Sequence, residues 1–260
     1  MKVDKIIFGC DDNEGYLDFW KDNSEICKKV LGIEPVLFHV TDEETDFYDD
    51  DFGIVKKIKK VPNVLDSFQA QNIRFYGTKF FENEVCMIGD IDMFLFNKDY
   101  LNKIINIPDD DFVIMESDAY SSKRYETLIW RGEGRYYAQY TTGKGKTFNK
   151  ILDLPSTFEN YLERLMSFNF GFATDELYLG CKVDSNFEIK IHKLIRGWMS
   201  NFYCPKRIEK IDFETVEGSK LEINDSLILD FFIDCHCPTP YSFYSDKIKK
   251  IKNLILLNNE

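Results

Sequence analysis

The order of segments in the first 40 residues constrains the fold most. A short apolar run comes first, then a segment with apolar side chains at helical spacing, then a second short apolar run. Residues 5–10 (KIIFGC) and 35–40 (PVLFHV) are too short for ordinary helices and predict buried strands. Between them, apolar side chains recur at helical spacing over residues 16–31, and Gly32 predicts the end of that helix. A strand, a helix and a strand joined this closely predict the start of a parallel α/β sheet.

The rest of the chain continues the alternation of strands and helices. Further strands are predicted at 85–89, 111–117, 187–192 and 227–233, and helices at 66–75, 98–105, 147–152, 157–168, from Thr174 onward, and at 246–257. Residues 125–145, rich in Tyr, Gly and Arg, predict loops or antiparallel strands. We therefore expect one α/β domain over 1–260, with a mostly parallel central sheet flanked by helices and a more irregular second half.

Two carboxylates, Asp90 and Asp92, come directly after the apolar run 85–89 (VCMIG). Side chains at positions i and i+2 leave an extended segment on the same side, so both carboxylates can face one point. Ligands of open α/β sheets bind beyond the carboxyl ends of the strands. Because two like charges repel unless a cation or a proton lies between them, the pair predicts a site for Mg²⁺ or Mn²⁺. A solvated turn carrying two acids is the alternative.

The net charge of the chain limits the classes of molecule that it can bind. The chain of 260 residues has 33 Lys and Arg against 45 Asp and Glu, a formal net charge of −12. Binding of a nucleic acid polymer requires clustered Lys and Arg, so this class of partner is excluded. A hydrophobic content of 44% excludes a disordered chain. The acidic segment 42–51 is expected to be a solvated connection.

The cysteines and the hydropathy pattern indicate a reducing compartment. Seven scattered cysteines without a C-x-x-C pair do not form a disulfide framework or a tetrahedral zinc motif. The first apolar run is too short for a signal peptide, and no run reaches the roughly 20 apolar residues of a membrane span. We therefore expect a cytoplasmic protein with no transmembrane segment. The basic amphipathic segment 246–257 is expected to pack on its own domain, with attachment to a membrane surface as the alternative.

Several segments in this order resemble the GT-A-type glycosyltransferases that use nucleotide sugars, in particular a microbial and large-virus branch with an Asp-x-Asp motif. The resemblance extends over about residues 3–240. It rests on Asp90-Ile91-Asp92 after the apolar run and on four more segments: 13–20 (NEGYLDFW), 68–76 (FQAQNIRFY), 144–148 (KGKTF) and 174–179 (TDELYL).

The resemblance implies a GT-A-like fold, with a nucleotide-sugar-binding half (1–117) and an acceptor-binding half (118–260). It implies a metal-dependent transfer of sugar from a nucleotide diphosphate sugar to a glycan or glycoconjugate acceptor. The expected residues are of three kinds: metal ligands Asp90, Asp92 and His236; donor-binding residues Cys10, Asp11, Asn13, Gln71, Arg74 and Asp90; and catalytic carboxylates Asp175 and Glu176. Mn²⁺ suits an imidazole ligand better than Mg²⁺ does. Whether the reaction retains or inverts the anomeric configuration is left open.

Two other functions stay open on the sequence. An Asp-x-Asp after an apolar strand also resembles the nucleophile motif of haloacid-dehalogenase-like phosphatases, although those enzymes have Thr or Val where this chain has Met93 and place the motif near the N-terminus. A non-catalytic carbohydrate-binding domain on the same fold is the other alternative, because function does not follow from fold. The two carboxylates at the catalytic positions have a simpler explanation as well, since acids at a helix start complement the helix dipole.

Overall fold

A computed structural model describes residues 1–44, 51–118, 134–168, 171–196, 206–208, 210 and 232–259. The strands in these ranges are β1 (Lys5–Cys10), β2 (Glu34–Val40), β3 (Ile54–Ile58), β4 (Val85–Ile88), β5 (Met93–Leu95), β6 (Phe112–Ile114), β7 (Thr142–Lys144), β8 (Ile191–Lys193), β9 (Lys206–Ile208) and β10 (Phe232–His236). The α-helices are α1 (Glu14–Leu17), α2 (Phe19–Ile26), α3 (Asp66–Gly77), α4 (Lys98–Asn102), α5 (Gly145–Leu152), α6 (Phe158–Phe168), α7 (Thr174–Asp184) and α8 (Tyr241–Leu257).

The central sheet has seven strands in the order β3-β2-β1-β4-β7-β6-β8. Strands β3, β2, β1 and β4 run parallel, β7 is antiparallel to both of its neighbours, and β8 is parallel to β6. The predicted α/β class with a mostly parallel central sheet is confirmed. The predicted antiparallel character of the middle of the chain appears in β7, whereas residues 119–133 lie outside the described residues.

Helices cover both faces of this sheet because the buried strands are apolar on both sides. In β1, Ile6 and Phe8 belong to a core shared with α2 and α8, whereas Ile7 belongs to a second core shared with α3, α5, α6 and α7. Gly9 allows α3 to approach closely, since a Cβ at this position would lie 2.1 Å from the carbonyl oxygen of Ala70. The result is a three-layer arrangement, and the carboxyl ends of β1 and β4 meet at the edge where ligands of open α/β sheets generally bind.

A second sheet of three strands, in the order β5-β10-β9, stands next to this edge. Strand β5 follows the Asp-x-Asp segment and pairs antiparallel with β10, with Met93 opposite His236. Strand β9 pairs parallel with β10 on its other side. This small sheet brings the last described strand of the chain to the end of β4.

The C-terminal helix α8 packs on the chain itself. Ile248, Ile251 and Ile255 are buried in the core that α2 and β1 line, as the packing prediction for this segment requires. The Lys252 ammonium lies 2.7 Å from Asp22 Oδ1 and 3.1 Å from Glu25 Oε2, which ties α8 to α2. Across the described ranges, no helix combines the length and the apolar character that crossing a membrane requires.

Several element boundaries differ from the predicted ones. The short strands β3, β5 and β9 were not predicted. Residues 16–31 form two helices and a π-helical turn, which ends at Gly32 with a φ of 69°. Asp66 and Thr174 are of residue types that often cap helices, but each lies in the first turn of its helix, after the N-cap residues Leu65 and Ala173. His236, expected after a strand at 227–233, lies inside β10, while 227–231 lie outside the described residues.

Candidate active site

The Asp-x-Asp segment lies where the central sheet ends. The amide of Gly89 still donates to the carbonyl of Ile7 in β1, at 2.9 Å, and the amide of Met93 donates to the carbonyl of Asp90, at 3.0 Å. The two carboxylates therefore occupy a tight turn between β4 and β5. The Asp90 side chain is 29% exposed, whereas that of Asp92 is only 10% exposed. The two acids thus stand in different environments, one open to solvent and one nearly enclosed.

The Arg74 guanidinium, carried by α3, links Asp90 to Asp175. Its Nη1 forms an ion pair with Asp90 Oδ1, and its Nη2 lies 2.9 Å from Asp175 Oδ2. The Gln71 amide, one turn earlier on α3, donates to Asp175 Oδ1 at 3.1 Å. The structure thus brings together four of the predicted site residues, as the i, i+3 spacing of Gln71 and Arg74 predicts for this helix face.

The Asp175 side chain is fully buried, whereas that of Glu176 is partly buried. The Asp175 carboxylate also accepts a hydrogen bond from the Glu176 amide at 2.8 Å, so that donors surround both of its oxygens. Burial raises the pKa of the Asp175 carboxyl, and the Arg74 guanidinium counteracts that rise. Glu176 Oε2 accepts from Arg135 Nε at 2.9 Å and from Arg135 Nη2 at 2.6 Å. Both carboxylates therefore do more than complement the dipole of α7.

His236 and Lys210 converge on Asp92. The pairing of β5 with β10 places His236 Nε2 3.4 Å from Asp92 Oδ2, and the Lys210 ammonium lies 2.9 Å from the same oxygen. Burial alone would raise the pKa of the Asp92 carboxyl, but the hydrogen bond from His236 and the charge of Lys210 hold it below its ordinary value. The resemblance implied His236 as a partner of Asp92 at one site. No pattern pointed to Lys210.

The loop after β1 supplies the remaining predicted donor-binding residues. Cys10 is buried in the core, and burial raises the pKa of its thiol, as do the nearby charges of Asp11, Asp12 and Asp92. Asp11 Oδ1 accepts from the Asn13 amide at 3.2 Å, and Asn13 Oδ1 caps α1 by accepting from the Gly15 amide at 3.0 Å. Because the Cys10 side chain packs inward, the polar side chains that this loop presents are those of the acids and Asn13.

A cleft of about 910 Å³ lies on the other side of this loop, next to α2 and α8. Its lining includes Asp12, Trp20, His39, Tyr241 and Lys252, and none of the predicted site residues. This cleft is therefore separate from the Asp-x-Asp site.

A buried network of two acids and two arginines includes Asp234, a residue of β10. Asp234, two residues before His236, accepts from both Arg196 and Arg207, with four distances between 2.8 and 3.1 Å. Glu116, at the end of β6, pairs with the same two guanidinium groups. The arginines hold the pKa of Asp234 well below its usual range, although burial alone would raise it. Sequence reasoning missed this network because its members come from distant segments.

Tyr140, in the Tyr-rich segment 125–145, belongs to this network. Its hydroxyl donates to Asp234 Oδ2 at 2.7 Å, and its ring is 2% exposed. Tyr140 is therefore a core residue, as aromatic clusters generally are.

The donor set around Asp92 has the chemistry of a divalent metal site, because carboxylate oxygens and an imidazole nitrogen are ligands that Mn²⁺ accepts. Among the described residues, however, no group of three His, Cys, Asp or Glu side chains is arranged around one point as a metal site requires. Arg74 and Lys210 instead engage the carboxylates of Asp90 and Asp92. The ligand types fit the ion, and its binding would require these two cations to shift.

Two solved glycosyltransferase structures share this architecture. The galactosyltransferase LgtC, solved in complex with donor and acceptor sugar analogues, has a TM-score of 0.53 to this chain at 11% identity, covering 96% of this chain and 95% of LgtC. The chain has the GT-A fold. The glycosyltransferase GlyE of Streptococcus pneumoniae TIGR4 matches with a TM-score of 0.52 at 10% identity, covering 99% of this chain and 63% of GlyE. Neither a family model nor a curated protein matches the sequence.

Proposed function

We propose that this chain is a metal-dependent glycosyltransferase that moves a sugar from a nucleotide diphosphate sugar to a glycan or glycoconjugate acceptor. The observation that carries the proposal is the convergence of His236 and Asp92 beside Asp90 at the carboxyl end of β4, on a GT-A fold. An acidic protein needs a local positive charge to receive a diphosphate, and this edge of the sheet has the ligands to hold one.

Asp90, Asp92 and His236 would hold the divalent ion, which we propose to be Mn²⁺ because of the imidazole. When bound, such an ion neutralises the charge that develops on the diphosphate as the glycosidic bond breaks. The burial of Asp92 suits this role, because charges interact more strongly where water is excluded. Asp90, the more exposed of the two acids, would meet the donor from the open side.

Arg74 and Gln71 would bind the donor from α3. A guanidinium can grip a phosphate through two parallel hydrogen bonds, and Arg74 already has its orientation fixed by Asp175. We propose that Asp175 is a positioning residue, because it is fully buried and its oxygens are engaged by donors. Asp11 and Asn13 would contact the nucleoside from the loop after β1, with Cys10 packed beneath them.

Glu176 is the carboxylate that we propose to act next to the acceptor. Its side chain is 13% exposed, whereas that of Asp175 is fully buried, so it is the acid of this pair that can reach a ligand. Its two hydrogen bonds from Arg135 hold the carboxylate in place, as a general base or a stabilising charge requires. The acceptor would then lie toward the half of the chain that contains α7.

The test measures the binding of UDP-, GDP- and TDP-sugars, each with and without Mn²⁺. Thermal shift identifies the nucleotide class that binds, and calorimetry then gives its affinity. We expect one nucleotide class to stabilise the protein only when Mn²⁺ is present. In Asp92→Asn, the affinity for this donor with Mn²⁺ should fall by more than about tenfold, roughly 1.4 kcal/mol. Asp110→Asn is the matched control, since Asp110 is an exposed acid paired with Lys144 and Lys146.

The outcomes separate the three functions that the sequence left open. Donor binding with hydrolysis or transfer of the sugar supports the glycosyltransferase. Binding without turnover, with any acceptor tried, identifies a carbohydrate-binding domain on the same fold. Failure of every donor to bind with Mn²⁺, together with hydrolysis of a generic phosphomonoester, would replace the proposal with the phosphatase. Unchanged affinity in Asp92→Asn would refute the metal role.

A further inference from the structure

Lys210 shares one oxygen atom with the proposed metal site. Its ammonium lies 2.9 Å from Asp92 Oδ2, and the same oxygen lies 3.4 Å from His236 Nε2. Lys210 follows β9 by two residues, and β9 pairs with β10 so that Ile208 lies opposite Cys235. The small sheet therefore delivers His236 and Lys210 to Asp92 together, from two neighbouring strands.

A lysine in this position competes with a divalent ion. An ion bound by Asp92 Oδ2 would stand within a few ångströms of the ammonium, and two positive charges so close repel each other. The Lys210 side chain is 35% exposed, and its ammonium is attached through a flexible four-carbon stem. The ammonium can therefore move from Asp92 into solvent. If the ammonium moves into water without finding a new partner, the protein loses a charge-assisted hydrogen bond to Asp92, an acid that is nearly buried.

A diphosphate would offer the ammonium a new partner at the same place. The phosphate oxygens of a donor held by the ion would lie near Asp92, and Lys is a common partner of phosphate. We infer that Lys210 exchanges Asp92 for a phosphate oxygen of the donor when the ion binds Asp92, which couples the binding of metal to the binding of diphosphate. This inference rests on the proposed function, since it needs both the ion and the diphosphate at this site.

The exchange predicts in which direction two affinities change, that for Mn²⁺ and that for the diphosphate. The lysine opposes the ion when no phosphate is present and assists the diphosphate when the ion is present. Removal of its charge should therefore strengthen the binding of Mn²⁺ alone and weaken the effect of each ligand on the other, which by linkage is the same factor for both. A lysine with only a structural role would move both affinities in one direction or leave them unchanged.

The experiment measures Mn²⁺ binding by calorimetry, alone and with saturating nucleoside diphosphate, in the wild type and in Lys210→Met. The nucleoside diphosphate is that of the donor identified above. Lys210→Met should bind Mn²⁺ alone about tenfold more tightly, and the factor by which the diphosphate raises Mn²⁺ affinity should fall by at least about tenfold, because one charge pair at this distance carries effects of that order. Lys210→Arg, which keeps the charge, should retain most of the coupling.

Two controls keep the result specific. Lys150→Met removes an exposed lysine that pairs with Glu188 at 2.6 Å, and it should change neither affinity. Lys210→Gln provides a second neutral side chain, and the urea midpoint of each variant reports whether it folds. A nucleoside monophosphate should show a smaller loss in Lys210→Met than the diphosphate does, since it offers fewer oxygens to the lysine.

Different failures point to different errors. If the wild type binds Mn²⁺ and a nucleoside diphosphate together, but Lys210→Met and Lys210→Gln leave the coupling factor unchanged, the inference is wrong and the proposed function stands. If the neutral variants bind Mn²⁺ alone more weakly, Lys210 supports the metal site rather than competing with it, and the inference is again wrong. If the wild type binds no nucleoside diphosphate with Mn²⁺, the proposed function and the inference fail together.

Discussion

Replacement of Arg74 by Met should destabilise the protein through Asp175 rather than through Asp90. The Asp175 side chain is fully buried, whereas that of Asp90 is 29% exposed. Removal of one partner of a buried ion pair leaves an uncompensated charge and costs about 3–5 kcal/mol. Water can replace the lost partner of the exposed acid, so that pair contributes at most about 1 kcal/mol.

The remaining donors reduce the cost at Asp175. Gln71 Nε2 at 3.1 Å and the Glu176 amide at 2.8 Å still bind its carboxylate when the guanidinium is gone. Uptake of a proton by Asp175 offers further relief, since burial already raises its pKa. We therefore expect Arg74→Met to lower the free energy of unfolding by about 3 kcal/mol at pH 7, the low end of the range for a broken buried pair.

Two double-mutant cycles test this reasoning by urea unfolding. In Arg74→Met/Asp175→Asn the buried charge is removed along with its partner, so the loss should be at least about 1.5 kcal/mol smaller than the sum of the single losses. In Arg74→Met/Asp90→Asn the losses should add to within about 0.5 kcal/mol, because solvent reaches that pair. Equal coupling energies in the two cycles, or a loss below about 1 kcal/mol in Arg74→Met, would refute the assignment of Asp175 as the anchor of this guanidinium.

Two further changes test contacts that hold helices to the rest of the fold. Burial alone would raise the pKa of Glu25, but Lys29 and Lys252 lower it, so Glu25 stabilises the fold above its ordinary pKa of about 4.3 and this contribution is lost as the pH falls through its folded pKa. Glu25→Gln should thus lose about 1 kcal/mol in urea unfolding at pH 7, and its gap from the wild type should narrow as the pH is lowered, while exposed Glu163→Gln stays unchanged throughout; a gap that does not narrow would contradict the charge argument. Gly9→Ala should cost at least about 2 kcal/mol, because its Cβ would lie 2.1 Å from the Ala70 carbonyl; an unchanged melting temperature would contradict the close approach of α3.

The central strands were predictable because burial on both faces makes them continuously apolar. Strands β1, β2 and β4 each appear in the sequence as such a run, and each lies inside the sheet. Strand β3 was not predicted because it lies at the edge of the sheet, is only half-buried and contains Lys56 and Lys57. Strands β5 and β9, three residues each, are shorter than any window in which a period of two can be recognised.

The candidate site was predictable only where a local pattern marks it. The Asp-x-Asp turn follows a buried strand and could be named from that pattern, whereas Gln71 and Arg74 were named from the family resemblance and their i, i+3 spacing only placed them on one helix face. The neighbours of Asp92 are His236 in β10 and Lys210, two residues after β9. Their positions depend on the pairing of strands from distant segments of the chain. A single lysine in an acidic chain has no spacing that would set Lys210 apart from the others.

The charges at the site constrain how it can be filled. Asp90, Asp92 and Asp175 face two cations, Arg74 and Lys210, so these five side chains carry one negative charge in excess when all are ionised. A divalent ion alone would reverse that charge, and a diphosphate alone would add several negative charges to an acidic protein. Only the two together restore a balance close to the one that the side chains have among themselves. Under the proposed function, joint binding of metal and diphosphate therefore keeps the charge of the site close to that of its side chains alone.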